Sequence, residues 1–111
     1  MKRRRVRFTA TAQEHIRREK AWWLENRDHA EVFATELEEA LQILAVLPGA
    51  GGPYLRADVA GLRRIYLPKV ACHIYYTFDR QEVIVRALWG ARRGHGPSMG
   101  TLGLPERERT P

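Results

Sequence analysis

The chain has one cysteine, Cys72, in 111 residues. A lone thiol excludes an intramolecular disulfide framework and a zinc site built from several cysteines, and it reads as a small core residue. No apolar run approaches the roughly 20 residues that a membrane span needs, so no membrane partner is expected. The opening Met1-Lys2-Arg3-Arg4-Arg5-Val6-Arg7 leads into no long apolar stretch. It therefore reads as no secretory signal, and a cytoplasmic protein is expected. His15, His29, His73 and His95 do not fall at metal-ligand spacing, so neither a metal nor any other cofactor is expected. Gly49, Gly51 and Gly52 follow a helix-forming segment instead of opening one, which excludes a phosphate loop. No internal repeat is visible.

What the sequence has in excess is positive charge: 19 Lys and Arg against 13 Asp and Glu, net +6, with a pI near 10.1. That balance points to acidic partners, either nucleic acid or an acidic protein. The charge is unevenly placed. Residues 1–8 carry five basic side chains and no acidic one, residues 9–47 four basic against eight acidic, and residues 59–97 seven basic against two acidic. The length suits one domain and one core. The expected organisation is a single domain over residues 1–97, followed by a flexible Gly/Pro-rich tail over 98–111.

Val6-Arg7-Phe8 alternates and reads as a short first strand. Thr11 and Glu14 have capping-box spacing, with Thr9 a rival N-cap, and a helix runs from there to about Glu25. Its apolar stripe is Ala12, Ile16 and Trp23, interrupted by Glu19. Asp28 and Glu31 suit the start of a second helix, in which Phe33, Leu37, Ala40, Leu41, Leu44 and Leu47 recur at spacings of three and four. Glu36, Glu38 and Glu39 fall largely off that face. Pro48-Gly49 stops the helix, and residues 48–61 read as a long connection. Three strands follow, Leu62–Leu67, Val70–Phe78 and Val83–Trp89, joined by short links at Pro68-Lys69 and Asp79-Arg80-Gln81. The expected fold is α+β: an N-terminal strand, an antiparallel helical hairpin, then a three-stranded antiparallel meander, with the helices packed on one face of the sheet.

Strand alternation assigns Ile65, Leu67, Cys72, Ile74, Tyr76, Phe78, Val83, Val85, Ala87 and Trp89 to the helix side. It leaves Arg64, Tyr66, His73, Tyr75 and Arg86 on the open side, together with Ile84 and Leu88. Lys69 sits on a hairpin turn, and Arg92 and Arg93 lie just past the sheet edge. Arginines interleaved with aromatic rings suit RNA, through phosphate contacts and base stacking. A set of Arg, Lys, His and Tyr can also cleave RNA without a metal, by deprotonating a 2′-hydroxyl and stabilising the charged transition state.

Several stretches resemble the RelE/ParE superfamily of type II toxins. They are Gly61-Leu62-Arg63-Arg64-Ile65-Tyr66-Leu67, His73-Ile74-Tyr75-Tyr76 and Val83-Ile84-Val85-Arg86-Ala87-Leu88-Trp89-Gly90-Ala91-Arg92-Arg93-Gly94. The start, Val6-Arg7-Phe8-Thr9, and the helix Ala30 to Leu47 ending at Pro48 share the resemblance, which spans about residues 4–97. It implies a growth-inhibiting toxin that stabilises plasmids, encoded beside a cognate antitoxin that wraps and neutralises it. Trp22 and Trp23 are the candidate antitoxin contacts. Arg63, Arg64, Tyr66, His73, Tyr75, Arg86, Arg92 and Arg93 are the candidate target contacts. The superfamily divides into a ParE branch, which inhibits DNA gyrase by protein binding, and a RelE branch, which cuts mRNA on the ribosome. For the RelE alternative the implied catalytic residues are Arg64, Lys69, Arg86 and His95. No Tyr follows Arg93, and the Ala-Leu-Trp-Gly-Ala-Arg-Arg ending is closer to ParE, so the ParE-like reading is favoured. An inactive basic binding module is the remaining alternative.

Overall fold

Alternation in the first strand decides where the helices go. In the computed structural model, which describes residues 2–55 and 58–91, Arg5–Phe8 forms β1. Val6 and Phe8 pack against the main core, which leaves Arg5 and Arg7 on the opposite side. Ala10–Asn26 forms α1 and Glu31–Val46 forms α2. A 3₁₀ turn, Pro48–Ala50, is followed by a two-residue strand β2 (Gly52–Pro53), then β3 (Arg63–Leu67), β4 (Cys72–Phe78) and β5 (Glu82–Gly90). The sheet order is β1-β5-β4-β3-β2, with β1 parallel to β5 and the other pairs antiparallel. The expected α+β layout is present, with both helices contributing to one core against the sheet. The connection over 48–61 holds more structure than its Gly/Pro content suggested, because β2 adds a fifth strand beside β3.

The helix-side core gathers Ala12, Trp23, Phe33, Leu37, Ala40 and Leu44 from the helices and Ile74, Tyr76, Val83, Val85 and Leu88 from the sheet. Each large aliphatic or aromatic side chain fully buried there contributes about 1.5–3 kcal/mol. Cys72 is fully buried, as expected of a core thiol. Of the two rival caps, Thr9 is the one used: its hydroxyl oxygen accepts from the Ala12 amide at 3.0 Å. Glu14, instead of closing a capping box, pairs with Arg17 and Arg18. The second helix begins after Ala30 with no side-chain cap, so the expected Asp28 cap is not formed. Leu47, expected on the buried stripe, ends the helix and is 53% exposed.

Glu36 departs most from its expected place. It is buried, and its carboxylate accepts from the backbone amides of Lys69 and Val70, each at 3.1 Å. These amides belong to the β3–β4 turn, which ends at Ala71 with φ of 54°. A left-handed turn of this kind points successive N–H groups inward, where they need an acceptor. Tyr76 fixes the other end of the sheet. Its hydroxyl donates to the Pro48 carbonyl at 2.6 Å and accepts from the Gly51 amide at 3.0 Å. Gly51 lies so close that an added Cβ would stand 2.5 Å from the Arg64 carbonyl oxygen.

The turn clamp yields a stability prediction. Glu36→Ala removes the acceptor of the buried Val70 amide and of the half-buried Lys69 amide, and should cost about 3 kcal/mol. The exposed Glu38→Ala should stay within about 0.5 kcal/mol of the parent. Urea denaturation followed by circular dichroism measures both, and equal midpoints for the two variants would remove Glu36 from this role.

Candidate functional site

The face opposite the helices is organised by one irregularity. Along β4 and β5 the partners run Phe78 with Val83, Thr77 with Ile84 and Tyr76 with Val85, then Tyr75 with Ala87. Arg86 is the extra residue, a β-bulge that reverses the facing of everything after it. Leu88 therefore joins the helix-side core, and Ala87 and Trp89 pass to the open face. This reverses the strict alternation expected for Ala87, Leu88 and Trp89. Phe78, also expected inside, sits at a strand end, 38% exposed, with the Arg4 guanidinium 5.8 Å from its ring centre.

Beyond Phe8, β1 no longer covers the edge of β5, and the start of α1 takes over. The Thr9 amide donates to the Val85 carbonyl at 3.0 Å, and the Thr9 hydroxyl donates to the Arg86 carbonyl at 3.2 Å. The Leu88 amide donates to His15 Nδ1 at 3.2 Å, and the His15 ring stands edge-on to Trp89 at 5.3 Å. An exposed strand edge is thereby closed.

Two rungs cross the open face. One pairs Arg64 with Tyr75 and Tyr75 with Ala87; the next pairs Tyr66 with His73 and His73 with Trp89. The rings form a chain, with Tyr66 to His73 at 5.0 Å, His73 to Tyr75 at 6.0 Å and Tyr75 to Tyr54 at 5.1 Å. The Arg64 guanidinium lies 4.7 Å over the Tyr54 ring and donates to the Tyr75 hydroxyl at 3.4 Å. Tyr75 is 2% exposed, because Val59, Leu62, Ala87 and Tyr54 pack around it. It supports the face from beneath, whereas Tyr66, at 47% exposure, is its most accessible ring. Sequence periodicity misses Tyr54 and Trp89 as members of this face. The Gly/Pro-rich approach to Tyr54 hides the first, and the bulge hides the second.

The candidate residues divide accordingly. Arg64, Tyr66, His73 and Tyr75 come together. Arg86 lies beside them, its Nε donating to Thr77 Oγ1 at 3.0 Å. Arg63, whose strand partner is the core residue Tyr76, turns to the helix side and donates to the carbonyls of Gly49 and Gly51. It braces the loop there. Lys69 stands on the β3–β4 turn, beyond the far end of β3 from Arg64. Trp23 is buried in the core and its indole N–H has no acceptor. Trp22 packs at the rim, edge-on to Trp23 at 5.9 Å, with the Arg27 guanidinium 5.0 Å over its ring. Arg92, Arg93, His95 and the tail over 98–111 lie outside the described residues. Among the described residues no cluster of His, Cys, Asp or Glu could hold a metal, and no helix is long and apolar enough to cross a membrane.

The model of the ParE toxin of the type II toxin–antitoxin system parDE matches residues 6–94. The chain belongs to the ParE toxin family. Solved structures share the fold of this ParE-family toxin. A chain of the chromosomal ParDE system from P. aeruginosa superposes with a TM-score of 0.64 at 15% identity, covering 78% of this chain and 95% of that one. One from the RelBE2 toxin–antitoxin complex of Mycobacterium tuberculosis gives 0.59 at 21% identity, covering 82% and 95%. One from the E. coli DinJ-YafQ complex gives 0.58 at 10%, covering 85% and 99%. No curated protein matches the chain.

His73 supplies a pH test of the face. Partial burial, and secondarily the charge of Arg64, hold its pKa below the ordinary 6.5. The folded state of the toxin thus prefers neutral His73. The associated stability is fully present above pH 6.5 and is lost as pH falls through the lowered folded value. Between pH 7 and 5 the urea midpoint of the parent should fall more steeply than that of His73→Gln; parallel pH profiles would contradict this arrangement.

Proposed function

We propose that this ParE-family toxin inhibits DNA gyrase by protein binding, with the open face as its docking surface, and that a cognate antitoxin neutralises it. The observation that carries the reading is the character of that face. Tyr66, His73, Trp89 and Arg64 form a braced aromatic patch of the composition that dominates protein–protein hot spots. The residues named for RNA cleavage do not make a comparable site among the described residues. Arg64 is held by Tyr54 and Tyr75, Arg86 is held by Thr77, and Lys69 stands beyond the other end of β3. Acid–base cleavage needs a base and an acid converging on one phosphate, whereas docking needs only a rigid, accessible surface. Arg92 and Arg93, which follow the described residues in sequence, are proposed as further target contacts. For the antitoxin, Trp22 with its stacked Arg27 offers the accessible half of the tryptophan pair, and a basic toxin suits an acidic partner.

The test is a gyrase supercoiling assay alongside ribosome-dependent mRNA cleavage. The parent should inhibit supercoiling and leave mRNA intact. Tyr66→Ala should raise the half-inhibitory concentration about 30-fold, the equivalent of a 2 kcal/mol hot spot. Cleavage of mRNA on ribosomes with supercoiling unaffected would overturn the proposal in favour of the endoribonuclease reading.

A further inference from the structure

The open face has a second half that the aromatic patch does not use. Along β1, Arg5 and Arg7 share the side opposite the core, about 6.7 Å apart given the rise of a strand. Arg3, two residues earlier, is exposed, as is Arg80 on the adjoining β4–β5 turn. Arg86 stands on the neighbouring strand of the same face. The carboxylate within this strip is Glu82, which pairs with Arg7 at 3.0 Å. Nearby Asp79, which accepts from the Gln81 and Glu82 amides, adds a second negative charge against the arginines at 3, 5, 7, 80 and 86. The strip therefore keeps a clear positive excess. Arginines repeated on one side of an extended edge match the repeated charges of a phosphate backbone.

We propose that this strip binds the phosphate backbone of duplex DNA without reading sequence. Side-chain composition selects the duplex. Single strands are gripped through exposed rings on which bases stack, and between Arg5, Arg7 and Arg86 the face presents Ile84 and Thr77 instead. The exposed rings are Tyr66, in the separate patch, and Phe78, whose strand partner Val83 belongs to the helix-side core and which therefore faces away from the strip. Among the described residues no helix or protruding ribbon stands on the strip to enter a groove, so the proposed contact is with phosphates alone. Duplex binding is an activity additional to gyrase inhibition and does not rest on it. A toxin holding both the enzyme and its substrate would be a tethered inhibitor.

Fluorescence anisotropy of the full chain on a fluorescein-labelled duplex, measured across 50–200 mM salt, tests the proposal. Each phosphate contact contributes about −0.9 to the slope of log affinity against log salt. Three contacts should give about −2.7. Arg5→Gln, at an exposed strand edge, should weaken binding at 50 mM salt several-fold and flatten the slope by about 0.9. Glu82→Gln, which removes a negative charge beside Arg7, should tighten binding several-fold. Lys20→Gln on α1 should change neither. The proposal is overturned by absence of duplex binding at 50 mM salt, by tighter binding to single-stranded DNA or RNA of equal length, or by indifference to both Arg5→Gln and Glu82→Gln. Supercoiling inhibition by Arg5→Gln, measured in parallel, separates this strip from the aromatic patch.

Discussion

Arg86 is one residue too many for the ladder it belongs to, and the face offered to a partner depends on how the sheet absorbs it. By bulging opposite the Tyr75–Tyr76 step, β5 sends Val83, Val85 and Leu88 to the helices and Ala87 and Trp89 to the other side. A strand without the bulge would turn the Trp89 indole into the helix-side core and expose Leu88. With the bulge, Leu88 takes the place in the helix-side core that the unbulged strand would give to Trp89. The cost is a local break in pairing, and α1 compensates for it: Thr9 satisfies the Arg86 carbonyl and His15 accepts from the Leu88 amide.

The two halves of the open face then follow from which strands flank the bulge. On the β3–β4 side, the segment around Tyr54 to Leu62 folds back and buries Tyr75. That gives the rings above it a fixed base and holds the Arg64 guanidinium between two tyrosines. On the β1–β5 side no such cover exists among the described residues, and Arg5, Arg7 and Arg86 stand there around Ile84 and Glu82. Fixed rings suit a shaped protein surface; exposed cations suit a polyanion. The acidic stretch of the sequence lies almost entirely on the two helices. The surface is thus polarised, with positive charge concentrated on the face that has no helices.

Sequence patterning revealed most of this architecture because the second helix carries clean three–four spacing, the first has a usable N-cap, and the late strands are rich in β-branched and aromatic residues. It located Arg64, Tyr66 and His73 on one face, since β3 and most of β4 alternate regularly. It failed where one local rule yielded to a tertiary one. Glu36 looks like a surface residue by type, yet the turn at Lys69 and Val70 needs a buried acceptor. Gly52–Pro53 looks like a loop, yet it pairs with β3. Arg63 looks like a neighbour of Arg64 in function, yet adjacent strand residues face opposite ways and it braces Gly49 and Gly51. The bulge leaves no mark in composition at all, because Val85-Arg86-Ala87-Leu88 reads equally well in either register.

The most direct measurement is a set of through-space NMR contacts from the Trp89 indole and the Leu88 methyl groups. The account predicts Trp89 ring protons close to the His15 ring, with Leu88 methyls among the helix-side residues that include Phe33 and Leu44. Contacts from the Trp89 indole to Phe33 or Leu44, with Leu88 exposed, would contradict it and dissolve the binding face with it.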